Sequence, residues 1–239
     1  MLVEIIPCLQ DNYSYIIIDQ SNNSACVIDP SEALPIINFL EKKNIKLKYI
    51  LNTHHHFDHV GGNEELKKKF KSTVVGFKGD SKRIPAIDIM LENNQIWKAG
   101  NFVAKIIHIP GHTSGHICFH FFEEKLVFTG DTLFSLGCGK IFEGTYEEMF
   151  LSLNKIKSLP KETKIYCGHE YTLNNAKFCI KHDPENQNLQ RKIELTKKQR
   201  GNGQPTIPST ISDELDCNIF LRANDLKTFS KLRDLKDNF

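Results

Sequence analysis

The sequence has no Cys-x-x-Cys pair, no apolar run of membrane-spanning length, no marked excess of one charge and no Gly-x-Ser-x-Gly segment. Seven cysteines in irregular spacing (Cys8, Cys26, Cys118, Cys138, Cys167, Cys179, Cys217) are an odd number. That pattern excludes an obvious disulfide framework and fits free thiols in a reducing compartment, so a cytoplasmic location is expected. A formal net charge of +2 gives no field that would recruit nucleic acid or an anionic membrane, and neither partner is expected. Lys67-Lys68-Lys69 follows Glu64-Glu65 on a helical pattern and reads as a solvated face. The N-terminus lacks a basic segment followed by a long apolar stretch, so no secretory signal is expected. Tyr15–Ile18 is only strand-sized. The missing Gly-x-Ser-x-Gly elbow removes one common nucleophile device.

What remains, with 40% hydrophobic and 25% charged residues over 239 positions, is an ordinary soluble balance. Strands are expected at Leu2–Ile6, Tyr13–Asp19, Ala25–Ile28, Lys48–Leu51 and Thr73–Phe77, then at Phe102–Ile109, His116–Phe122, Lys125–Thr129 and Thr163–Cys167. Helices are expected from an N-cap at Ser31 to about Lys43, over Gly62–Phe70 and over Thr145–Leu159. Beyond about Tyr171 apolar density falls, helix formers dominate and no strand pattern remains. The division predicted is a β-rich catalytic domain over 1–170 and a small helical domain over 171–239.

The chemistry concentrates in Asn52-Thr53-His54-His55-His56-Phe57-Asp58-His59, a loop between a predicted strand and a Gly-Gly turn into a helix. On extended backbone His54 and His56 project to one side and can grip one metal, while His55 points the other way. Asp58 and His59 lie where the chain turns and can reach a second metal. Imidazole and carboxylate without thiolate suit Zn, Mn or Fe(II) and argue against a structural zinc site. Three more candidates each follow a predicted strand and a glycine: His112 in Pro-Gly-His-Thr, Asp131 in Thr-Gly-Asp-Thr and His169 in Cys-Gly-His-Glu. The glycine lets the backbone turn sharply and present the ligand. Seven ligands suffice for two metals if Asp131 bridges them.

His-x-His-x-Asp-His, Gly-His-Thr, Gly-Asp-Thr and Gly-His-Glu together resemble the metallo-β-lactamase superfamily, which implies an α+β fold, an αββα sandwich with metals at one sheet edge. The resemblance is closer still to the hydroxyacylglutathione hydrolase (glyoxalase II) family. It is carried by Asp11–Tyr15, Thr53–His59, Pro110–His116, Gly130–Phe134, Gly137-Cys138-Gly139-Lys140, Phe142–Thr145, Gly168–Thr172 and Phe220-Leu221-Arg222. These stretches extend into the helical appendage. The resemblance implies one metal on His54, His56 and His112, and another on Asp58, His59 and His169. Asp131 would bridge, with Asp58 and Asp131 the carboxylates of the reacting centre. Two divalent cations are implied, zinc first, with iron and manganese as alternatives.

The implied substrate is a glutathione thioester, held by Lys140, Phe142, Tyr171 and Arg222, with Lys227 as a further contact; a monomer is expected. The family has Tyr where Phe142 stands, and Asn-Pro-Phe-Leu-Arg reads Asn218-Ile219-Phe220-Leu221-Arg222 here. A metal-activated hydroxide attacking a thioester requires no serine triad, and the thiolate leaves with little acid assistance. Other readings stand beside this one. Persulfide dioxygenases and other hydrolases of the superfamily share much of the ligand set. Lys140 in a Gly-rich loop could simply be exposed, and Arg222, expected in a C-terminal helix, could cover apolar surface with its stem. Asp29 before Pro30 suits either a carboxylate orienting a ligand histidine or a simple turn.

Overall fold

The computed structural model describes residues 1–239 in two units, Met1–His108 with Gly115–Glu124, and Ile109–Ser114 with Lys125–Phe239. In the first, β1 (Leu2–Cys8), β2 (Asn12–Asp19), β3 (Ser24–Ile28), β4 (Lys46–Leu51), β5 (Thr73–Phe77) and β6 (Ile89–Leu91) form a sheet in chain order. The first three strands pair antiparallel through short turns. From β3 onward the pairs are parallel, which demands crossovers long enough for helices. From β3 to β5 these are α1 (Ala33–Lys43), the single turn α2 (Phe57–Val60) and α3 (Asn63–Phe70), while the β5 to β6 crossover holds only a 3-10 turn at Lys78–Asp80.

Ala33, Ile36, Ile37 and Leu40 recur at i, i+3, i+4 and i+7, giving α1 one apolar stripe, and all four are buried against the sheet. Burying each large aliphatic there contributes about 1.5–3 kcal/mol. Ser31 is not the N-cap of α1: that position is Glu32, without a side-chain cap bond, and its carboxylate accepts instead from the Leu9 N–H. Asn44 ends the helix in the left-handed region, φ 52°, its N–H reaching back to Leu40 and Glu41.

The first unit also holds an antiparallel meander of β7 (Ile96–Ala99), β8 (Phe102–His108) and β9 (Ile117–Phe121). The Ile117 N–H donates to the Thr53 carbonyl at 2.9 Å, tying β9 to the histidine loop. Strands β6 and β7 were not expected; they span three and four residues and are largely exposed, so they carry little apolar alternation.

In the second unit β10 (Leu126–Gly130) leads into a small hairpin, β11 (Leu133–Phe134) and β12 (Gly137–Cys138). Helix α4 (Tyr146–Lys157) begins with a reciprocal capping box between Thr145 and Glu148, a device that contributes about 1 kcal/mol. It returns the chain to β13 (Lys164–Cys167), parallel to β10. Then come α5 (Thr172–His182) and α6 (Gln187–Gly201), β14 (Ser209–Thr210), α7 (Ile211–Cys217) and α8 (Leu226–Asp237). The tail is therefore not purely helical: β14 adds two residues antiparallel to β13. No helix is long and apolar enough to cross a membrane. All seven cysteines are buried thiols outside any disulfide.

Candidate metal centre

The first unit supplies four of the expected donors from the segment that follows β4. His54 and His56 face one another, Nε2 to Nδ1, at 3.1 Å. Two nitrogens bound to one tetrahedral zinc lie roughly 3.3–3.4 Å apart, so this pair is spaced to share a cation. His55 turns away and meets the buried carboxylate of Asp80 at 3.1 Å, as alternation along extended backbone requires. Asp58 and His59 stand on α2, with Nε2 of His59 3.6 Å from Oδ2 of Asp58. Asn12, at the start of β2, donates to both the carboxylate and the carbonyl of Asp58, at 2.9 and 3.1 Å.

Asp29 organises this segment from beneath. It follows β3 in the left-handed region, φ 47°, and is buried. Its carboxylate accepts from the Thr53 N–H at 2.7 Å, from the Thr53 hydroxyl at 2.6 Å and from His59 Nδ1 at 3.0 Å. Asp29 thus does both things open to it in the sequence: it turns the chain and it orients a candidate ligand. Because the Thr53 hydroxyl spends its proton on Asp29, it accepts from His54 Nδ1, 3.0 Å away. Both histidines are thereby held as the tautomer whose lone pair is on Nε2. Asp29, His54 and His59 have donor atoms within 4.8 Å of one another, yet three hydrogen bonds already occupy the Asp29 oxygens. Asp29 is a partner of candidate ligands rather than a candidate itself.

The second unit brings His112, Asp131 and His169 together. Oδ2 of Asp131 lies 3.5 Å from His112 Nε2 and 3.2 Å from His169 Nε2. His112 Nδ1 donates to the Lys140 carbonyl at 2.8 Å, which leaves the lone pair of the neutral ring on the Nε2 that faces Asp131. Lone pair against carboxylate is repulsive unless a second proton or a cation lies between them, and a divalent cation suits this donor set. Gly111 and Gly130 do adopt positive φ, 145° and 47°. Gly111 is also required by space, because a Cβ there would press on the backbone of Met149. Gly168 departs from the expected pattern, having no positive φ; its N–H donates to the Gly130 carbonyl instead. Gly139 lies so close to the Asp131 carbonyl that any Cβ would collide with it. Cys167 precedes Gly168 yet offers no thiolate, since burial pushes its pKa up to about 12.

The expected substrate contacts divide into two groups. Phe142 is 62% exposed, its ring 5.2 Å from that of His112, and the exposed Lys140 Nζ lies 5.9 Å from the Phe142 ring. Tyr171 stacks flat on His169 at 4.7 Å, with Phe134 set edgewise to both rings. Arg222 and Lys227 lie elsewhere in sequence and role. Arg222 is not on a helix but in the connection from α7 to α8, where its guanidinium is paired with Asp183. The 460 Å³ cavity it lines is walled by Asp183, Glu185 and Asp216, a poor setting for an incoming carboxylate. Lys227 occupies the exposed first turn of α8.

Asn12, Thr53 and Arg233 were not foreseen as site-supporting residues. Arg233 of α8 donates to the Cys138 carbonyl at 2.9 Å, just before Gly139 and Lys140. No spacing rule could reveal a partner 46 or 95 residues away.

Residues 9–169 match the metallo-β-lactamase superfamily model, and residues 170–239 match the model for the hydroxyacylglutathione hydrolase C-terminus. The fold and the His/Asp donor set therefore define a metallo-β-lactamase-fold protein. ETHE1 from Myxococcus xanthus shares that fold, with a TM-score of 0.75 at 22% identity over 98% of this chain and 90% of that one. Within the superfamily, the chain belongs to the hydroxyacylglutathione hydrolase family. It is 66% identical to the hydroxyacylglutathione hydrolase of Pelagibacter ubique over the full length of both. It is also 46% identical to that of Rhodopseudomonas palustris (strain BisB5), over 93% of this chain and 87% of the relative.

Proposed function

We propose that this chain is a hydroxyacylglutathione hydrolase that cleaves S-lactoylglutathione to glutathione and D-lactate, the second step of methylglyoxal detoxification, at a site for two divalent cations. One observation carries the two-cation reading. A single Asp131 oxygen is flanked at 3.5 and 3.2 Å by His112 and His169, histidines that the family pattern assigns to different metals. By the family pattern, His54, His56 and His112 would hold one cation and Asp58, His59 and His169 the other, with Asp131 serving both. Zinc is the first candidate, with iron and manganese as alternatives for the same nitrogen and oxygen donors. When bound, such cations supply a hydroxide at neutral pH and polarise the thioester carbonyl.

The protein's own groups do the rest. Asp29 and Thr53 hold two imidazoles in the tautomer that presents Nε2. Asn12 fixes the Asp58 carboxylate, and the Lys140 carbonyl fixes His112. Tyr171 braces His169 by stacking flat on its ring. No general acid is assigned, because a thiol is far more acidic than an alcohol and glutathione leaves readily as thiolate.

Lys140 attracts a carboxylate of the peptide, and Phe142 gives it an apolar wall. Arg222 and Lys227 serve the remote end of the substrate only if Asp183 releases the guanidinium. The working division is a catalytic domain over 1–170 and a recognition domain over 171–239, in a monomeric cytoplasmic enzyme.

The test is hydrolysis of S-lactoylglutathione by purified protein, with thiol release, metal content and oxygen uptake measured in parallel. Thiol release with about two metals per chain and no oxygen uptake supports the reading. Oxygen uptake on a glutathione persulfide, with one iron per chain and no thiol release from the thioester, would make the chain a persulfide dioxygenase.

A further inference from the structure

We propose that the C-terminal helices are a splint for the metal site, with Asn175, Glu214 and Asn218 as positioning residues that act on His112 through the backbone of residues 134–140. The inference rests on His112 being a metal ligand, as above.

The observation is a run of consecutive backbone groups each held by a side chain from beyond residue 170. Asn218, just after α7, donates its amide to the Phe134 carbonyl at 3.3 Å and to the Gly137 carbonyl at 3.1 Å. Asn175 of α5 donates to the Ser135 carbonyl at 3.1 Å, and the Cys179 thiol to the Leu136 carbonyl at 3.1 Å. Glu214 of α7 accepts the Leu136 N–H at 2.8 Å. Arg233 takes the Cys138 carbonyl. No carbonyl from 134 to 138 is left to a partner chosen by the hairpin alone.

A two-residue-by-two-residue hairpin cannot hold its own shape, because its ladder is too short. Here its geometry is imposed from outside by a buried polar network. Glu214 and Asn218 are fully buried, and they bond each other at 3.0 Å. Such networks specify one conformation when satisfied and are costly when broken.

The consequence reaches the donors in two steps of chain. Gly139, next after the hairpin, packs without a Cβ against the Asp131 carbonyl and donates its N–H to the Thr132 carbonyl. The following carbonyl, that of Lys140, fixes the His112 ring at 2.8 Å. Loosening the hairpin therefore frees the orientation of His112, whereas His54 and His59 take theirs from Thr53 and Asp29. Side chains that orient a ligand are worth about ten- to a hundredfold in metal affinity.

The experiment loads full-length protein with zinc and withdraws it with a graded chelator, counting metal per chain at each step. Wild type, Asn218→Ala, Glu214→Leu, Glu214→Gln and the milder Asn175→Ala are compared, with circular dichroism of the metal-free proteins as the control for folding. Two metals on wild type test the binuclear reading separately. With that in hand, the splint predicts that Asn218→Ala and Glu214→Leu release one metal about tenfold or more readily while the other stays near wild type. Glu214→Gln, which keeps the acceptor, should recover most of the difference. Asn175→Ala should show the same selective release, smaller in size, and supplies the answer if the stronger variants do not fold. Equal retention of both metals, or equal loss of both by a folded variant, would overturn the proposal.

Discussion

Asp29 Oδ2 lies 3.0 Å from His59 Nδ1 in the buried floor of the first unit, and the same oxygen accepts the Thr53 hydroxyl that orients His54. One carboxylate therefore sets two imidazoles assigned to different metals. Asp29→Asn should tolerate the left-handed backbone there but lose the charge that strengthens both contacts. Both metals should be held about ten- to a hundredfold less tightly. Chelator competition is the measurement. Wild-type affinity at both sites would remove Asp29 from the account.

His55 offers the internal control for the neighbouring ligands. Its ring is committed to Asp80, which Arg83 also holds, so His55→Ala leaves that carboxylate with a partner. Turnover should fall only a few-fold, whereas His54→Ala and His56→Ala should each abolish most of it and release metal. Comparable losses for all three would show that His55 also serves the reacting centre.

Substrate recognition should divide between Lys140 and Arg222 unequally. Lys140 is exposed beside Phe142, while Arg222 must first leave Asp183. Lys140→Ala should raise KM with little change in kcat, by about 1.5–3 kcal/mol of charge-assisted binding, or roughly ten- to a hundredfold in kcat/KM. Arg222→Ala should cost less, and Asp183→Asn should lower KM if the guanidinium is freed for substrate. Phe142→Tyr, which restores the family's hydroxyl, should lower KM modestly. A thioester lacking the peptide carboxylates is the control, on which Lys140→Ala should behave as wild type. Equal losses on both substrates would make Lys140 a structural residue.

Burial raises the pKa of Glu214 above the ordinary 4.5, with hydrogen bonds from Leu136 and Asn218 opposing the shift. A carboxyl raised in the folded state contributes stability that is complete below pH 4.5 and fades as pH climbs through the raised value. Glu214→Gln cannot ionise, so its melting temperature relative to wild type should rise from pH 4 toward neutrality. A difference independent of pH would mean that Glu214 does not change its protonation over that range.

The candidate donors are the most legible part of the sequence because each sits in a local signature, a His-x-His-x-Asp-His run or a Gly before a strand-end residue. The long strands β1 to β5 and the helix α1 were legible for a similar reason, since periodicity over five or more residues is a local property. What failed was short or remote. Strands β6, β7 and β14 have too few residues to show a pattern. Ser31 looked like a cap, but its N–H is taken by the Ser14 hydroxyl and the helix starts one residue later than that cap would set. The partners that hold the donors, such as Asn12 on Asp58 and Arg233 on Cys138, depend on tertiary proximity that no spacing encodes.

The central claim is tested most directly by titrating metal-free protein with zinc while following hydrolysis of S-lactoylglutathione. Thiol release should climb with added metal and reach its plateau at about two per chain. Asp131→Ala should bind at most one tightly and stay nearly inactive at any zinc concentration. A plateau at one metal per chain, or an Asp131→Ala variant that binds two and turns over normally, would contradict the binuclear assignment.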